Sequence, residues 1–193
     1  VGIGTSSPTS ELHIASASPV ITLQDTDSTE PLSTFITFKD NGGTQHGYIG
    51  YGSSSSDLLQ LANSYDDIVM YTGSSGTLSE RMRIDSSGNV LVGTTDTDLG
   101  YTDGDSGVVF NPDGYIQAAR DSAFSVLYLN KLNNDGTIIQ MHKDGSTVGT
   151  IGAQSAGTLF IAGSSSQNTG VRFFNTGVAP CNSSGDYVDN SRD

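Results

Sequence analysis

The sequence predicts an all-β protein with little or no helix. Apolar and polar residues alternate with period two in several short segments, which is typical of half-buried strands. Turn-forming residues recur about every 8–12 residues, a spacing that favours hairpins. No segment carries apolar residues at helical spacing over three turns. We therefore expect short antiparallel strands joined by tight turns.

The alternating segments define the predicted strands. In chain order they are residues 21–24, 59–61, 81–85, 127–130, 138–141 and 159–161. In the 81–85 segment, Met82 and Ile84 share one face, and Arg81, Arg83 and Asp85 share the other, because successive side chains of a strand point to opposite sides. Each strand is thus expected to have one apolar and one polar face.

The breaks between these segments carry turn chemistry. Turns are predicted at residues 85–89, 111–114, 134–136 and 143–145. Glycine supplies positive φ, proline fixes its own φ, and Asn or Asp side chains bond the local backbone.

An internal repeat divides the chain into modules. Residues 36–40 (ITFKD) and 47–50 (GYIG) return as 139–144 (IQMHKD) and 149–152 (GTIG), and residues 1–5 (VGIGT) return as 90–94 (VLVGT). Tandem β-rich modules usually build an elongated object. The expected organisation is a first β module at 1–95, an acidic linker at 96–106, a related second module at 107–180, and a loosely held polar tail at 181–193.

The composition favours an obligate oligomer. Only 34% of residues are hydrophobic, tryptophan is absent, and there are 24 glycines. So few apolar side chains in short strands offset little of the conformational entropy lost on folding, and packing against further copies adds burial. The net charge of −13 disfavours nucleic acid and anionic membrane surfaces as partners.

The termini and the single cysteine carry limited information. The chain starts at Val1 without Met and is expected to be a fragment, with a further C-terminal domain beyond its polar tail. No apolar run approaches the roughly 18 residues of a membrane span. Cys181 has no partner for an intrachain disulfide and is expected to be a small, semi-buried side chain, with an interchain link or a reactive thiol as the alternatives.

Catalytic and metal-binding patterns are weak, and we expect neither an enzyme nor a cofactor. The glutamates are only Glu11, Glu30 and Glu80, most aspartates lie in turns, and no nucleophile elbow or phosphate-binding loop occurs. Two acidic groups are alternative calcium ligands. The first, Asp96, Asp98, Asp103 and Asp105, fails the EF-hand spacing, and the second is Asp25, Asp27 and Glu30. The histidines His13, His46 and His142 are isolated, although copies of His46 or His142 around a symmetry axis remain an alternative.

Aromatic residues offer one possible ligand contact. Four tyrosines cluster in the first module, and Tyr51 and Tyr65 are the candidates for stacking on a cell-surface glycan. Packing within strands is the alternative for both.

Three blocks resemble bacteriophage tail fibres. Residues 1–14 (VGIGTSSPTSELHI) and 80–95 (ERMRIDSSGNVLVGTT) resemble the spacer modules repeated in those fibres, although Leu91 replaces a glycine of the motif. Residues 136–153 (GTIIQMHKDGSTVGTIGA) resemble the region before a C-terminal intramolecular chaperone domain. The resemblance implies an elongated homotrimeric fibre with β-prism-like or β-helix-like segments, located in the virion tail.

The same resemblance implies a structural role in host attachment. The segment would hold or form the receptor-binding apparatus, with other phage tail proteins and a host cell-surface glycan as partners. The module-boundary glycines are expected to allow close backbone approach near the axis: Gly2, Gly4, Gly50, Gly93 and Gly152. Inward-facing apolar residues are expected at Ile3, Ile49, Met82, Ile84, Val92 and Ile151. The alternatives are a glycan-binding or depolymerising tail spike and a bacterial extracellular adhesin or filament subunit.

Overall fold

A computed structural model describes residues 1–26, 34–51, 58–100, 104–155, 157–164 and 170–188. Within these ranges the chain forms fifteen β-strands and no helix, so the prediction of an all-β protein is confirmed. The strands are β1 Gly2–Ile3, β2 His13–Ile14, β3 Phe35–Lys39, β4 Gln45–Gly50, β5 Gln60–Asn63, β6 Ile68–Ser74, β7 Thr77–Ile84, β8 Val90–Val92, β9 Gly107–Phe110, β10 Ile116–Ala119, β11 Gly136–Lys143, β12 Ser146–Ala153, β13 Leu159–Gly163, β14 Gly170–Phe174 and β15 Gly177–Cys181.

The strands form four sheets. Three are antiparallel meanders, with strand orders β3-β4-β5, β10-β9-β8-β7-β6 and β11-β12-β13-β14-β15. The fourth is a short parallel pair of β1 and β2. Within each of the three meanders consecutive strands are neighbours, as expected for strands connected by hairpins. None of these sheets closes on itself among the described strands.

Four of the six predicted strands are confirmed. Residues 60–61, 81–84, 138–141 and 159–161 lie in β5, β7, β11 and β13. The predictions at 21–24 and 127–130 are wrong, because neither segment is a strand within the chain. Alternation describes the side chains only, and a strand also needs a neighbouring backbone to pair with.

Four turns share one hydrogen-bond pattern. Each begins with Asp or Asn, and the glycine three residues later has positive φ and donates its N–H to the first residue's carbonyl. The first residue's side-chain oxygen accepts an N–H two or four residues further on. The turns begin at Asp40, Asp85, Asn111 and Asn182, with glycines Gly43, Gly88, Gly114 and Gly185. This confirms the turns predicted at 85–89 and 111–114.

Replacing Asp85 with alanine should lower the free energy of unfolding of the sheet that contains β7 and β8 by about 2 kcal/mol. The Asp85 carboxylate accepts hydrogen bonds from the N–H of Ser87 (2.9 Å) and the N–H of Asn89 (2.8 Å). It also accepts one from the Asn89 side-chain amide (2.8 Å), which is itself buried. The alanine variant leaves that amide without its acceptor. Urea unfolding checks the value, and an unchanged midpoint would contradict this account of the turn. Asp113→Ala, in an adjacent exposed turn, is the control.

The first compact unit comprises Val1–Phe124. Its buried core consists of Leu91 on β8, Val109 on β9 and Leu99, with Ala119 packed against them. Leu99 lies in the predicted acidic linker 96–106, which connects the neighbouring strands β8 and β9 of one sheet. The division between units thus falls after Phe124, at a different place from the predicted linker. The acidic composition of 96–106 predicts a linker, whereas Leu99 within it is buried in the core.

The second compact unit comprises Ser125–Asp193. Its core contains Phe160, Ala162 and Cys181. Cys181 ends β15 and forms a β-bridge with Tyr187, so residues 181–188 are held to the sheet, and the prediction of a loose tail is wrong for them. Cys181 is a free, buried cysteine, and burial raises the pKa of its thiol. Residues 189–193 lie outside the described part of the chain.

No helix suited to crossing a membrane occurs in the described ranges.

Candidate functional site

The β6–β10 sheet carries two rows of apolar side chains on one face. Directly paired residues of antiparallel strands point to the same side of a sheet, so the register defines each row. One row runs Ile68, Ile84, Val90, Phe110, Ile116, and the adjacent row runs Met70, Met82, Val92, Val108, Ala118. We call these ten residues the β6–β10 apolar face. It contains no charged side chain.

This face is open to solvent in the single chain. Ile116 is 66% exposed, Met70 49% and Val92 40%. The opposite side of the same sheet contains Leu91 and Val109, both fully buried beneath Leu99. The row through Leu91 and Val109 also contains Arg83 and Gln117, so the covered side is mixed. The charge-free side is the one that the chain leaves open. Apolar faces of this extent on soluble proteins mark interaction surfaces.

The other two meanders repeat the arrangement. In β3-β4-β5 the register aligns Ile36, Ile49 and Leu61, each about half exposed. In β11–β15 it aligns Ile139, Ile151, Ile161, Val171 and Pro180, and beside them Ala153, Leu159, Phe173 and Val178. Ile49 and Ile151 belong to the two repeated Gly-x-Ile-Gly blocks. The sequence repeat therefore corresponds to a repeated apolar row in two separate sheets.

The accessible surface of the whole chain is large for its mass. The chain of 20.1 kDa exposes 14054 Å². A single compact protein of that mass exposes about 8,700 Å², and two separate compact bodies of the sizes of its units expose about 10,500 Å². The excess over the larger value is about 3,500 Å² per chain, more than the roughly 1,000–2,500 Å² that each partner contributes to one obligate interface.

The residues predicted to face inward lie mostly on these faces. Met82, Ile84 and Val92 belong to the β6–β10 apolar face, and Ile3 is an exposed residue of β1. Ile49 is the central residue of its row, and Ile151 is the second residue of its row. Leu91, where the tail-fibre motif has glycine, instead points to the covered side and fills the first core. Sequence alternation identified the first set but not the core role of Leu91, since pairing partners decide which face is covered.

The module-boundary glycines have local structural roles. Gly4 has φ of 76° and lies against the carbonyl of Ala15. A Cβ on Gly152 would lie 2.5 Å from the Gly136 carbonyl oxygen and 2.5 Å from Cζ of Phe160. Both positions therefore exclude larger residues. Gly2 lies in β1, Gly50 ends β4, and Gly93 follows β8. These contacts are all within the chain, and the proximity of the glycines to a symmetry axis stays a prediction.

An ion-pair network stabilises the end of the β6–β7 hairpin. The Arg83 guanidinium donates two hydrogen bonds to Glu80, each 2.6 Å, and one of 2.7 Å to Asp67. Asp67 also accepts the N–H of Ser86 (2.9 Å). The bidentate contact with Arg83 lowers the pKa of Glu80 and raises that of the guanidinium. All three side chains are three-quarters buried or more.

The ion pair with Arg83 decides whether Glu80 could act as the general acid of a depolymerising enzyme. Glu80 and Asp105 line an open cleft of about 350 Å³ together with Gly93 and Thr94. A glycoside hydrolase needs one carboxyl with a raised pKa as its general acid. The pKa of Glu80 shifts in the opposite direction. Glu80 is thus an ion-pair partner and is unsuited to protonating a leaving group. Glu30 lies outside the described ranges, and Glu11 is an exposed residue whose carbonyl accepts the Val1 amino group.

Acid should destabilise the protein through its hydrogen-bonded carboxylates. Burial opposes the shift at Asp85, but hydrogen bonds from Asn89, Ser87 and Gly88 outweigh it and lower its pKa. A carboxyl with a lowered pKa in the folded state stabilises the fold above its unfolded pKa of about 4, and this contribution is lost as the pH falls through the folded pKa. We expect urea midpoints to hold from pH 7 to about 5 and to fall below about pH 4.

The Asp85→Asn variant isolates this effect, because asparagine does not titrate. Its urea midpoint should depend less steeply on pH than that of the unmodified chain at the same protein concentration. Parallel pH profiles for the two proteins would contradict the assignment.

The aromatic candidates occupy different environments. Tyr65 is 61% exposed, and its ring stacks on that of His46 with 4.1 Å between centroids. His46 in turn lies 3.4 Å from Asp40. Tyr51 is half-buried immediately after β4, where its N–H bonds the Thr34 carbonyl (2.8 Å). Of the two predicted glycan contacts, Tyr65 has the more accessible ring.

Among the described residues, the acidic side chains considered as calcium ligands are not grouped around a common point. Within the described ranges, no three His, Cys, Asp or Glu side chains are grouped to hold a metal ion. The Asp96 carboxylate instead accepts the backbone N–H of Asp98 (2.9 Å), and the Asp98 carboxylate accepts the Gln117 side-chain amide (3.2 Å). Asp27, Glu30 and Asp103 lie outside the part of the chain that the structure describes.

Comparison of the chain with protein-family models, with curated proteins and with solved structures finds no match.

Proposed function

We propose that this chain is a structural segment of a bacteriophage tail fibre, assembled as an elongated homotrimer in the virion. The observation that carries the proposal is the uncovered, charge-free β6–β10 apolar face, which a subunit of a β-rich assembly would bury against its neighbours. The sequence resemblance of residues 1–14, 80–95 and 136–153 supplies the phage context and the number of subunits.

Charge as well as exposed apolar area favours self-association through this face. A net charge of −13 makes copies of the chain repel one another. Ten apolar residues without a charged neighbour in their rows form the surface on which that repulsion costs least and burial contributes most. The other two meanders carry similar rows, and each would gain burial in the same way where copies of the chain pack on it.

The proposed role is mechanical. Stiff β modules hold a distal receptor-binding tip away from the particle and transmit attachment, and the chain performs no catalysis and needs no cofactor. Other phage tail proteins would contact it at its ends.

Light scattering coupled to size-exclusion chromatography tests the proposal. The expected mass is about 60 kDa, three times the 20.1 kDa of one chain. Negative-stain images of the same sample should show elongated particles. A folded monomer would overturn the assembly, and a stable dimer would overturn the trimer.

A second candidate function is glycan binding, which the exposed Tyr65 ring favours. Aromatic faces stack on sugar rings, and His46 holds this ring in place. Glycan-array binding should fall at least about 10-fold in Tyr65→Ala, or about 1.4 kcal/mol. The control is Tyr115→Ala, in which the lost ring is also exposed. Equal binding by both variants would exclude Tyr65 as a contact.

A further inference from the structure

The segment of residues 125–132 (SVLYLNKL) is the most exposed apolar stretch of the second unit. It precedes β11 and forms no strand. Five of its eight side chains are large and apolar, and all five are exposed: Val126 53%, Leu127 67%, Tyr128 82%, Leu129 47% and Leu132 70%. A compact protein rarely exposes so many large apolar residues consecutively.

The backbone of this segment is unpaired as well. Among the described residues, no backbone N–H of residues 125–132 donates a hydrogen bond to any carbonyl or side chain. The one polar contact of the segment is a side-chain contact, from Nζ of Lys131 to the carbonyl of Thr137 at 3.5 Å. An occupant that satisfies this segment must therefore supply backbone hydrogen bonds in addition to apolar contacts.

The residue pattern is that of a strand buried on both sides. In an extended conformation Val126 and Tyr128 point one way, and Leu127 and Leu129 point the other way. Apolar residues on both sides are typical of an internal strand covered on each face. Such a strand needs a neighbouring backbone and a cover on each face, and within the described residues the single chain supplies no paired strand here.

The charges indicate which partner fits. Residues 122–134 contain no Asp or Glu and one lysine, Lys131, in a chain of net charge −13. Another acidic copy meets attraction here and repulsion over most of the remaining surface. The following strand, β11, pairs with β12 on one side only, so each copy also has a free edge of eight residues among the described strands. Long free edges accept added strands.

We propose that residues 125–132 form an interchain β-strand with a second copy of this chain. The proposal rests on the proposed homo-oligomer, and it adds which backbone crosses between subunits. Side chains on both sides of the new strand would become buried, and part of the excess surface of each chain would be covered.

Hydrogen–deuterium exchange of the unmodified full chain tests this directly. In the assembled protein, amides of residues 125–132 should exchange at least about 100-fold more slowly than those of an unstructured peptide. Exchange at the unstructured rate in a sample that light scattering shows to be oligomeric would overturn the interchain strand and leave the proposed function standing. A monomeric sample would overturn both.

Two variants give an independent readout. Leu127→Asp places a charge in the buried strand, and Tyr128→Pro removes an N–H that the strand would use. Each should raise the concentration at which the oligomer dissociates at least about 10-fold. The control is Leu78→Asp, in which the replaced leucine is 69% exposed at the end of a hairpin. Dissociation unchanged in both test variants, or changed equally in the control, would contradict the proposal.

Discussion

Replacing Val92 with aspartate should dissociate the assembled protein. Val92 lies on the central strand β8 of the β6–β10 apolar face, between Met82 and Val108 in the register. In an assembly, the new carboxylate would be buried among apolar side chains without a partner, which costs several kcal/mol. We expect the dissociation concentration, measured by light scattering on a dilution series, to rise at least about 100-fold. The circular dichroism of the chain should keep its β character.

Val148→Asp is the matched control for this substitution. Val148 is 49% exposed, close to the 40% of Val92, but it is the extra residue at the bulge of the β11–β12 hairpin, outside the apolar rows. It should leave the oligomer largely intact. If Val92→Asp assembles as tightly as the unmodified chain, the β6–β10 apolar face is not an interface and the main support for the proposed function is lost.

Replacing Phe160 with alanine should destabilise the second unit by about 3–5 kcal/mol. Phe160 is fully buried and is the largest side chain of a core that also contains Ala162 and Cys181. Its ring fills the space beside Gly152 and Gly185, where no side chain is available to close the cavity. Because domain stabilities are about 5–15 kcal/mol, such a loss removes much of the stability of so small a unit.

Reactivity of Cys181 gives a local readout for that variant. The thiol is buried beside Phe160 in the intact core, and a thiol reagent should label it faster in Phe160→Ala than in the unmodified chain. Phe174→Ala is the control, since Phe174 is 37% exposed at the end of β14 and lies outside the buried cluster of Phe160, Ala162 and Cys181. Equal labelling rates in the two variants would show that the ring does not hold the core together.

Local signals predicted the strands and turns well. The four turns that begin with Asp or Asn and continue to a glycine depend on residues within five positions of one another. Their chemistry is therefore readable along the chain, as at residues 85–89 and 111–114. Alternation likewise identified β7 and β11, because the period of a strand is a property of neighbouring residues.

Local patterns do not predict which segments pair with one another. Alternation predicts a strand at residues 127–130, but in the single chain these residues pair with no other strand. The acidic composition of 96–106 predicts a linker, although Leu99 is buried with Leu91 and Val109 in the core of the sheet. Leu99 is the sequence feature that could have indicated burial, as an aliphatic residue in an acidic stretch. Its role in the core becomes clear only once Leu91 and Val109 are seen to pack against it.

The candidate interface likewise depends partly on local sequence and partly on strand pairing. The sequence by itself determined that the chain is all-β, that its hairpins turn at Asp, Asn and Gly, and that apolar residues recur in similar blocks, since these follow from backbone sterics and nearest neighbours. Only the tertiary structure decided that Ile68, Met70, Met82, Val92 and Ile116 share one uncovered face, and that Leu91 and Val109 face the core. Strand register brings together residues up to about fifty positions apart, and no local pattern specifies it.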